Sequence, residues 1–198
     1  MKFWIDIDDT IADTDSVILS AAIDFHVNHL KRKAPLHDIS AFRSKDYYYF
    51  SRYLGWDERT VRSFFQTCYP HFLRDIPLKT GAKEAVDYLR AKGSKVILLS
   101  ARRDLEYHGS PMIITREWLM NNGLNVDDVV LDCVNKADYL KNKEGCFIDD
   151  SFDNCRAMIS NPQISVFQFL SPFSIPCDSE RVQSFSSWGE FLKIVKNV

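Results

Sequence analysis

The sequence predicts an α/β protein in which a parallel sheet lies between two layers of helices, with a small helical cap inserted near the start of the chain. Three observations carry that expectation. Short, continuous apolar runs recur at 2–7, 96–99, 129–131, 146–148 and 164–169, as expected of strands buried on both faces. Helical patterns separate the later runs, as parallel strands require of their crossovers. Residues 13–75 break that alternation. The division is therefore a Rossmann-like three-layer core of residues 1–12 and 76–198, with residues 13–75 as the cap.

Residues 2–7 are the first expected strand, and Phe3, Trp4 and Ile5 run straight into a cluster of carboxylates. In the cap, Val17, Ile18, Ala21, Ala22 and Phe25 mark a long helix. Val61, Phe64 and Phe65 mark another, which Asp57 can cap. Residues 41–56 between them are dense in aromatic and basic side chains. Pro70, Asp75 and Pro77 signal the return to the core. Thr80 can cap the next helix, whose Ala82, Ala85, Val86 and Leu89 share a face and which Gly93 can end. Ile114, Trp118 and Leu119 repeat that pattern ahead of Gly123. Residues 182–195 are the last helix candidate, with Phe185, Trp188, Phe191, Leu192 and Val195 as packing residues.

Composition excludes several classes. A chain of 198 residues, 45% hydrophobic, buries a substantial core and leaves room for a small second module. Lysine and arginine number 25 against 27 acidic residues, so there is no basic field to hold a duplex, and no stable nucleic-acid complex is expected. The five cysteines are odd in number, scattered, and lack zinc-ligand spacing, which suits a reducing compartment. No apolar run is long enough for a signal peptide or a membrane span, so the expectation is a cytoplasmic protein without a membrane partner.

Open sheets of this kind bind ligands beyond the carboxyl ends of their strands, and those ends carry chemistry here. Asp6-Ile7-Asp8-Asp9-Thr10 closes the first run, Ser100 ends the second, Lys136 follows the third, and Asp149-Asp150 ends the fourth. Carboxylates this close repel unless a cation or a shared proton separates them, and a hard divalent ion with oxygen ligands is the economical answer. A carboxylate nucleophile, a metal, a hydroxyl and a lysine at one edge fit phosphoryl transfer through an aspartyl phosphate.

On those four segments the sequence resembles the haloacid dehalogenase-like superfamily of phosphohydrolases. The resemblance implies that Asp6 attacks phosphorus while Asp8 protonates the leaving alcohol and then activates water. It implies Mg²⁺ held by Asp6, the backbone carbonyl of Asp8 and Asp149, with Asp150 assisting, and a phosphoryl group bound by Ser100 and Lys136. Within the superfamily the chain is most similar to the 5′(3′)-deoxyribonucleotidase family and its bacterial nucleotidase relatives. The segments concerned are Asp6 to Asp13, Leu99-Ser100-Ala101-Arg102, Thr115-Arg116-Glu117-Trp118-Leu119, Lys136-Ala137-Asp138 and Phe147-Ile148-Asp149-Asp150-Ser151, with Trp188 and Glu190. That similarity implies a small phosphorylated substrate, a nucleotide, contacted by Thr10, Phe42, Arg43, Ser100, Ala101, Arg102 and Lys136. It also allows a homodimer. Ser171-Pro172-Phe173-Ser174 departs from the family's asparagine after the fifth strand, which bears on substrate choice. The alternatives are a phosphatase of another small metabolite or of a nucleic-acid 3′-phosphate end, a phosphomutase, and a non-catalytic regulatory protein of the same fold.

Overall fold

The computed structural model describes residues 1–34, 49–103, 110–171 and 174–196. Its strands are β1 (Lys2–Ile5), β2 (Lys95–Leu99), β3 (Asp128–Val130), β4 (Gly145–Asp149), β5 (Ile164–Phe169) and β6 (Val182–Phe185). They form one sheet in the order β3-β2-β1-β4-β5-β6, parallel at every pairing. The helices are α1 (Thr14–Asp24), α2 (Tyr49–Tyr53), α3 (Glu58–Phe72), α4 (Ala82–Ala91), α5 (Pro111–Asn121), α6 (Lys136–Tyr139), α7 (Phe152–Met158) and α8 (Trp188–Lys196). The expected α/β architecture with a parallel, doubly covered sheet is the observed one.

The period of two along each strand divides the core into two faces. Phe3, Ile5, Val96, Leu98, Cys146, Ile148, Phe167 and Phe169 point to one face. There they pack against α4 through Ala82, Ala85, Val86 and Leu89, α5 through Ile114 and Trp118, and α8 through Trp188 and Phe191. Trp4, Ile97, Leu99, Phe147 and Val166 point to the other face, onto Leu140, Cys155 and Met158 at α6 and α7. Gly145 opens β4 at φ 133°, and a Cβ there would lie 2.3 Å from the carbonyl oxygen of Lys2, so only glycine lets β1 and β4 approach at this point.

Three local expectations change. The helix expected over 182–195 divides into β6 and α8. Val182 and Phe185 find a buried place beside β5 that a helix could not give them. The break is set by a capping box at Ser186 and Ser187. Ser187 Oγ accepts the Glu190 amide at 3.2 Å, while Glu190 Oε2 accepts the Ser186 amide at 2.8 Å. The first strand stops at Ile5 instead of 7, which places Asp6 and Asp8 in the turn. The residue capping α4 is Gly81, at φ 83°, in place of Thr80. The Asp57 cap does form, with its Oδ1 accepting the Thr60 amide at 2.8 Å.

Residues inserted after β1 build their own apolar cluster from Ile18, Ala22, Phe25, Phe50, Leu54, Trp56, Phe64 and Phe65. Helix α1 runs on into a single π-helical turn, Phe25–His29. That turn carries buried His26, whose Nδ1 accepts the Trp56 indole N–H at 2.9 Å and whose Nε2 lies 3.0 Å from the Lys33 carbonyl. The two chain crossings between this layer and the sheet pair with each other. Ala12 bridges Leu78 antiparallel, the Asp13 amide donates to Pro77 at 2.9 Å, and the Lys79 amide donates to Ile11 at 2.9 Å. Among the described residues, no helix is long and apolar enough to cross a membrane.

Candidate active site

The strand order turns around between β1 and β4, because the chain proceeds from β1 through β2 to one edge and from β4 through β5 to the other. A crevice forms at such a switch point, beyond the strands' carboxyl ends. Asp6 leaves β1 and Asp149 ends β4 on its two sides, joined by the Asp6 amide donating to Ile148 at 2.9 Å.

Lys136 opens α6 and lies buried between these two carboxylates. Its ammonium donates to Asp6 Oδ1 and, at 2.7 Å, to Asp149 Oδ2. Asp6, Asp149 and Asp150 each bring a carboxylate oxygen to within 4.8 Å of the other two. Asp149 is held by the Ser151 amide at 2.8 Å and by the Asn154 side-chain amide at 3.2 and 3.1 Å to its two oxygens. Asp150 Oδ1 accepts the Thr10 hydroxyl at 3.3 Å, and its carbonyl accepts the Gln168 amide at 3.1 Å.

The second half of the site centres on Asp8. The Arg102 fork reaches both its oxygens, Nε to Oδ2 at 2.8 Å and Nη2 to Oδ1 at 2.7 Å, and the Thr14 hydroxyl adds 2.7 Å to Oδ1. The Arg102 backbone amide donates to Ser100 Oγ at 3.1 Å, which links the end of β2 to the same group. Asp9 takes a left-handed φ of 58°, which aspartate tolerates better than most residues, and its Oδ1 accepts the Asp15 amide at 2.6 Å in the first turn of α1.

Charge sets the chemistry. Among the described residues, Asp6, Asp8, Asp149 and Asp150 are ion-paired with Lys136 and Arg102, leaving negative charge that one divalent cation would neutralise. Burial, aided by the charges of Asp149 and Asp8, pushes the Asp6 carboxyl up to about 7 against the pull of Lys136. Burial and the charges of Asp149, Asp6 and Asp9 hold Asp150 well above the usual carboxylate range. Burial alone would raise Asp8 too, but the Arg102 charge and hydrogen bonds, with Thr14, keep it below its ordinary value. Burial opposes the Lys136 charge, and Asp149 and Asp6 more than reverse that, raising its pKa. All-oxygen donors with surplus negative charge fit a hard cation such as Mg²⁺.

The structure thus brings Asp6, Lys136, Asp149 and Asp150 into one network, and Asp8, Arg102 and Ser100 into a second that adjoins it. Ala101 is exposed. Phe42 and Arg43 lie outside the described residues. Sequence reading missed Asn154 and Thr14. Asn154 sits five residues after Asp149, in the first turn of the helix that follows β4, a spacing visible in the sequence. Thr14 opens the helix after the carboxylate turn, and nothing in the sequence distinguishes it from an ordinary cap residue.

No protein-family model matches this chain, and no curated protein matches it. Solved structures do. A predicted phosphatase from Clostridium acetobutylicum superposes with a TM-score of 0.66 at 12% identity, covering 100% of this chain and 98% of that one. A HAD family hydrolase from Deinococcus radiodurans R1 with bound phosphate and sodium gives 0.66 at 12%, covering 99% and 95%. YfnB of Bacillus subtilis, described as a HAD-hydrolase and bound to magnesium, gives 0.60 at 13%, covering 98% and 97%. The chain therefore has the fold of HAD-superfamily hydrolases over essentially its whole length.

Proposed function

We propose that this protein is a Mg²⁺-dependent phosphomonoesterase that works through an aspartyl phosphate on Asp6, and that its substrate is a nucleoside monophosphate. The observation that carries the reading is the switch-point network: three carboxylate oxygens within 4.8 Å, with one buried lysine bridging Asp6 and Asp149. Neighbours of the same fold that hold magnesium or phosphate support it. The nucleotide part rests on the motif resemblance around residues 99–102, 115–119 and 147–151.

In this reading Asp6, Asp149, Asp150 and the Asp8 carbonyl would hold the cation, which would supply charge neutralisation to the phosphoryl oxygens. Lys136 occupies Asp6 Oδ1, so Oδ2 is the oxygen that bonds to phosphorus while the bond to the leaving oxygen breaks. Asp8 gives that oxygen a proton. A water then attacks the aspartyl phosphate, Asp8 takes its proton, and phosphate leaves with Asp6 regenerated. Ser100 and Lys136 orient the phosphoryl group, and Thr10, Ala101 and Arg102 line its surroundings. Residues 13–75 act as a lid that restricts access to small substrates and excludes water.

The test is phosphate release from ribo- and deoxyribonucleoside 5′- and 3′-monophosphates, sugar phosphates and a 3′-phosphorylated oligonucleotide, with Mg²⁺ or EDTA. Turnover of deoxynucleotides that requires Mg²⁺ and vanishes in Asp6→Asn is expected. Turnover confined to another ester overturns the substrate, transfer to an added sugar phosphate marks a mutase, and Asp6-independent turnover overturns the mechanism.

A further inference from the structure

We infer that Gln168 is a positioning residue for the proposed metal site: its buried amide anchors the backbone of the turn at residues 149–150 and so holds the Asp150 carboxylate in place for the cation. The inference rests on the metal-dependent reading of the switch-point site and gives that site a support from β5.

Gln168 stands where the pattern of β5 calls for an apolar residue. By the period of two it shares a strand face with Ile164 and Val166, which pack in the core on the side of α6 and α7, and it is fully buried. A side-chain amide in such a place is costly unless its polar atoms find partners. Here they do. Nε2 donates to the Asp150 carbonyl at 3.1 Å and to the Ile175 carbonyl at 3.0 Å, and Oε1 accepts the Cys177 amide at 2.7 Å. The reverse orientation would set the amide oxygen against two carbonyls, so the partners fix it. Gln168 pairs with Asp149 in the parallel register of β4 and β5, which brings it level with the carboxylate turn. These bonds join two segments, the turn after β4 and residues 175–177 after β5.

Asp150 needs that anchor more than its neighbours do. Asp6 has Lys136, and Asp149 has Lys136, the Ser151 amide and Asn154. The Asp150 side chain accepts the Thr10 hydroxyl at a long 3.3 Å, so its placement leans on its backbone. A ligand that moves freely must be ordered when the cation binds, and that cost is subtracted from the affinity. A ligand whose backbone is already held avoids it, which is how groups behind a metal's own ligands tune binding.

Asn161 supplies a control within the same chain. Its side-chain amide has the same bonding pattern, donating to the Leu140 and Lys143 carbonyls at 2.7 and 3.1 Å and accepting the Gln163 amide at 3.0 Å. It precedes β5, however, and so lies at the opposite end of the sheet from the carboxylates. The measurement is Mg²⁺ affinity by calorimetry for the wild type, Gln168→Ala, Gln168→Met and Asn161→Ala, beside urea unfolding of each. Both alanine variants should lower the urea midpoint, since each strips partners from buried groups. The two Gln168 variants are expected to bind Mg²⁺ about 10- to 100-fold more weakly, while Asn161→Ala stays within about threefold of the wild type. Phosphate release by the Gln168 variants should need more Mg²⁺ for half-maximal rate and recover to within a few-fold of the wild-type kcat at saturating Mg²⁺. Unchanged Mg²⁺ affinity in destabilised Gln168 variants would overturn the inference and leave Gln168 an anchor for residues 175–177. Equal losses in Asn161→Ala would overturn it in favour of general loosening. If Gln168→Ala fails to fold, Gln168→Met, which keeps the volume and removes the bonds, carries the comparison. A wild type that binds no Mg²⁺ would reject the metal site and this inference with it, whereas one that binds Mg²⁺ without Asp6-dependent turnover would reject the phosphatase reading and leave the role of Gln168 standing.

Discussion

Asp6 carries an unusual burden for one side chain: it is buried, it faces Asp149 and Asp8, and it shares a single lysine with Asp149. Its folded value of about 7 lies above the ordinary 3.8, so its contribution to stability is complete below the ordinary value and is lost as pH rises through about 7. A cation at the site reverses that loss, because it favours the carboxylate. Asp150, raised by burial first, adds to the same trend. The thermal shift produced by Mg²⁺ is therefore expected to be larger at pH 8 than at pH 5.5, and a shift of equal size at both would contradict the assignment. Asn154 supplies two hydrogen bonds to Asp149. Its replacement by leucine should weaken Mg²⁺ binding by about 10- to 100-fold in calorimetry while the far-ultraviolet circular dichroism stays unchanged. An unchanged affinity would mean that Asp149 needs no such support.

At the scale of single elements, two contacts are sharply testable. β1 and β4 approach so closely at Gly145 that a methyl group would collide with the Lys2 backbone. Gly145→Ala should lower stability by roughly 1–3 kcal/mol in urea unfolding, since overpacking forces backbone shifts. The pair β1 and β4 also carries the site, so metal affinity should fall together with stability. In the inserted layer, Trp56→Phe keeps the ring that packs on Phe25 and Phe64 but strips the donor from His26 Nδ1. A buried acceptor left without its partner costs about 1–3 kcal/mol. A midpoint unchanged within error would show that water replaces the indole. The legibility of elements follows the same physics. Apolar runs marked β1, β2, β4 and β5 because a doubly buried strand needs apolar residues on both faces, and edge strand β3 shows one because Val129 and Val130 are partly buried, one against each core cluster. β6 escaped notice because Val182 and Phe185 are three residues apart, a spacing that puts them on one face of a helix but on opposite faces of a strand. Its strand state is decided by the free edge of β5.

For the whole molecule, the apolar cluster around Phe25, Phe50 and Phe64 is distinct from the two that clamp the sheet, with Phe72 packed against it and against one of them, and the crossings that join the layers are short. Ion pairs such as Arg74 with Glu117 at 2.7 Å and Lys79 with Asp13 at 3.0 Å are partly exposed and hold the layers weakly. Hydrogen exchange should therefore open in two steps, with amides of α1 and α3 exchanging before those of β1, β4 and β5. One common exchange rate would show the layers to be a single cooperative unit.

The sequence by itself determined the sheet-and-helix alternation, the place where it is interrupted, and the positions of Asp6, Asp8, Ser100, Lys136 and Asp149-Asp150 at or just beyond strand ends. Those features are local, since each is a residue type at the end of an apolar run. Partner choice was decided only by the tertiary structure. That Lys136 bridges Asp6 and Asp149, that Arg102 turns to Asp8, and that Asn154 and Thr14 complete the carboxylates' hydrogen bonds all depend on which strands lie side by side. The strand order sets residues 6, 100, 136 and 149 together across gaps of many residues. Only a folded sheet, by burying their charges in one crevice, forces each to find a partner.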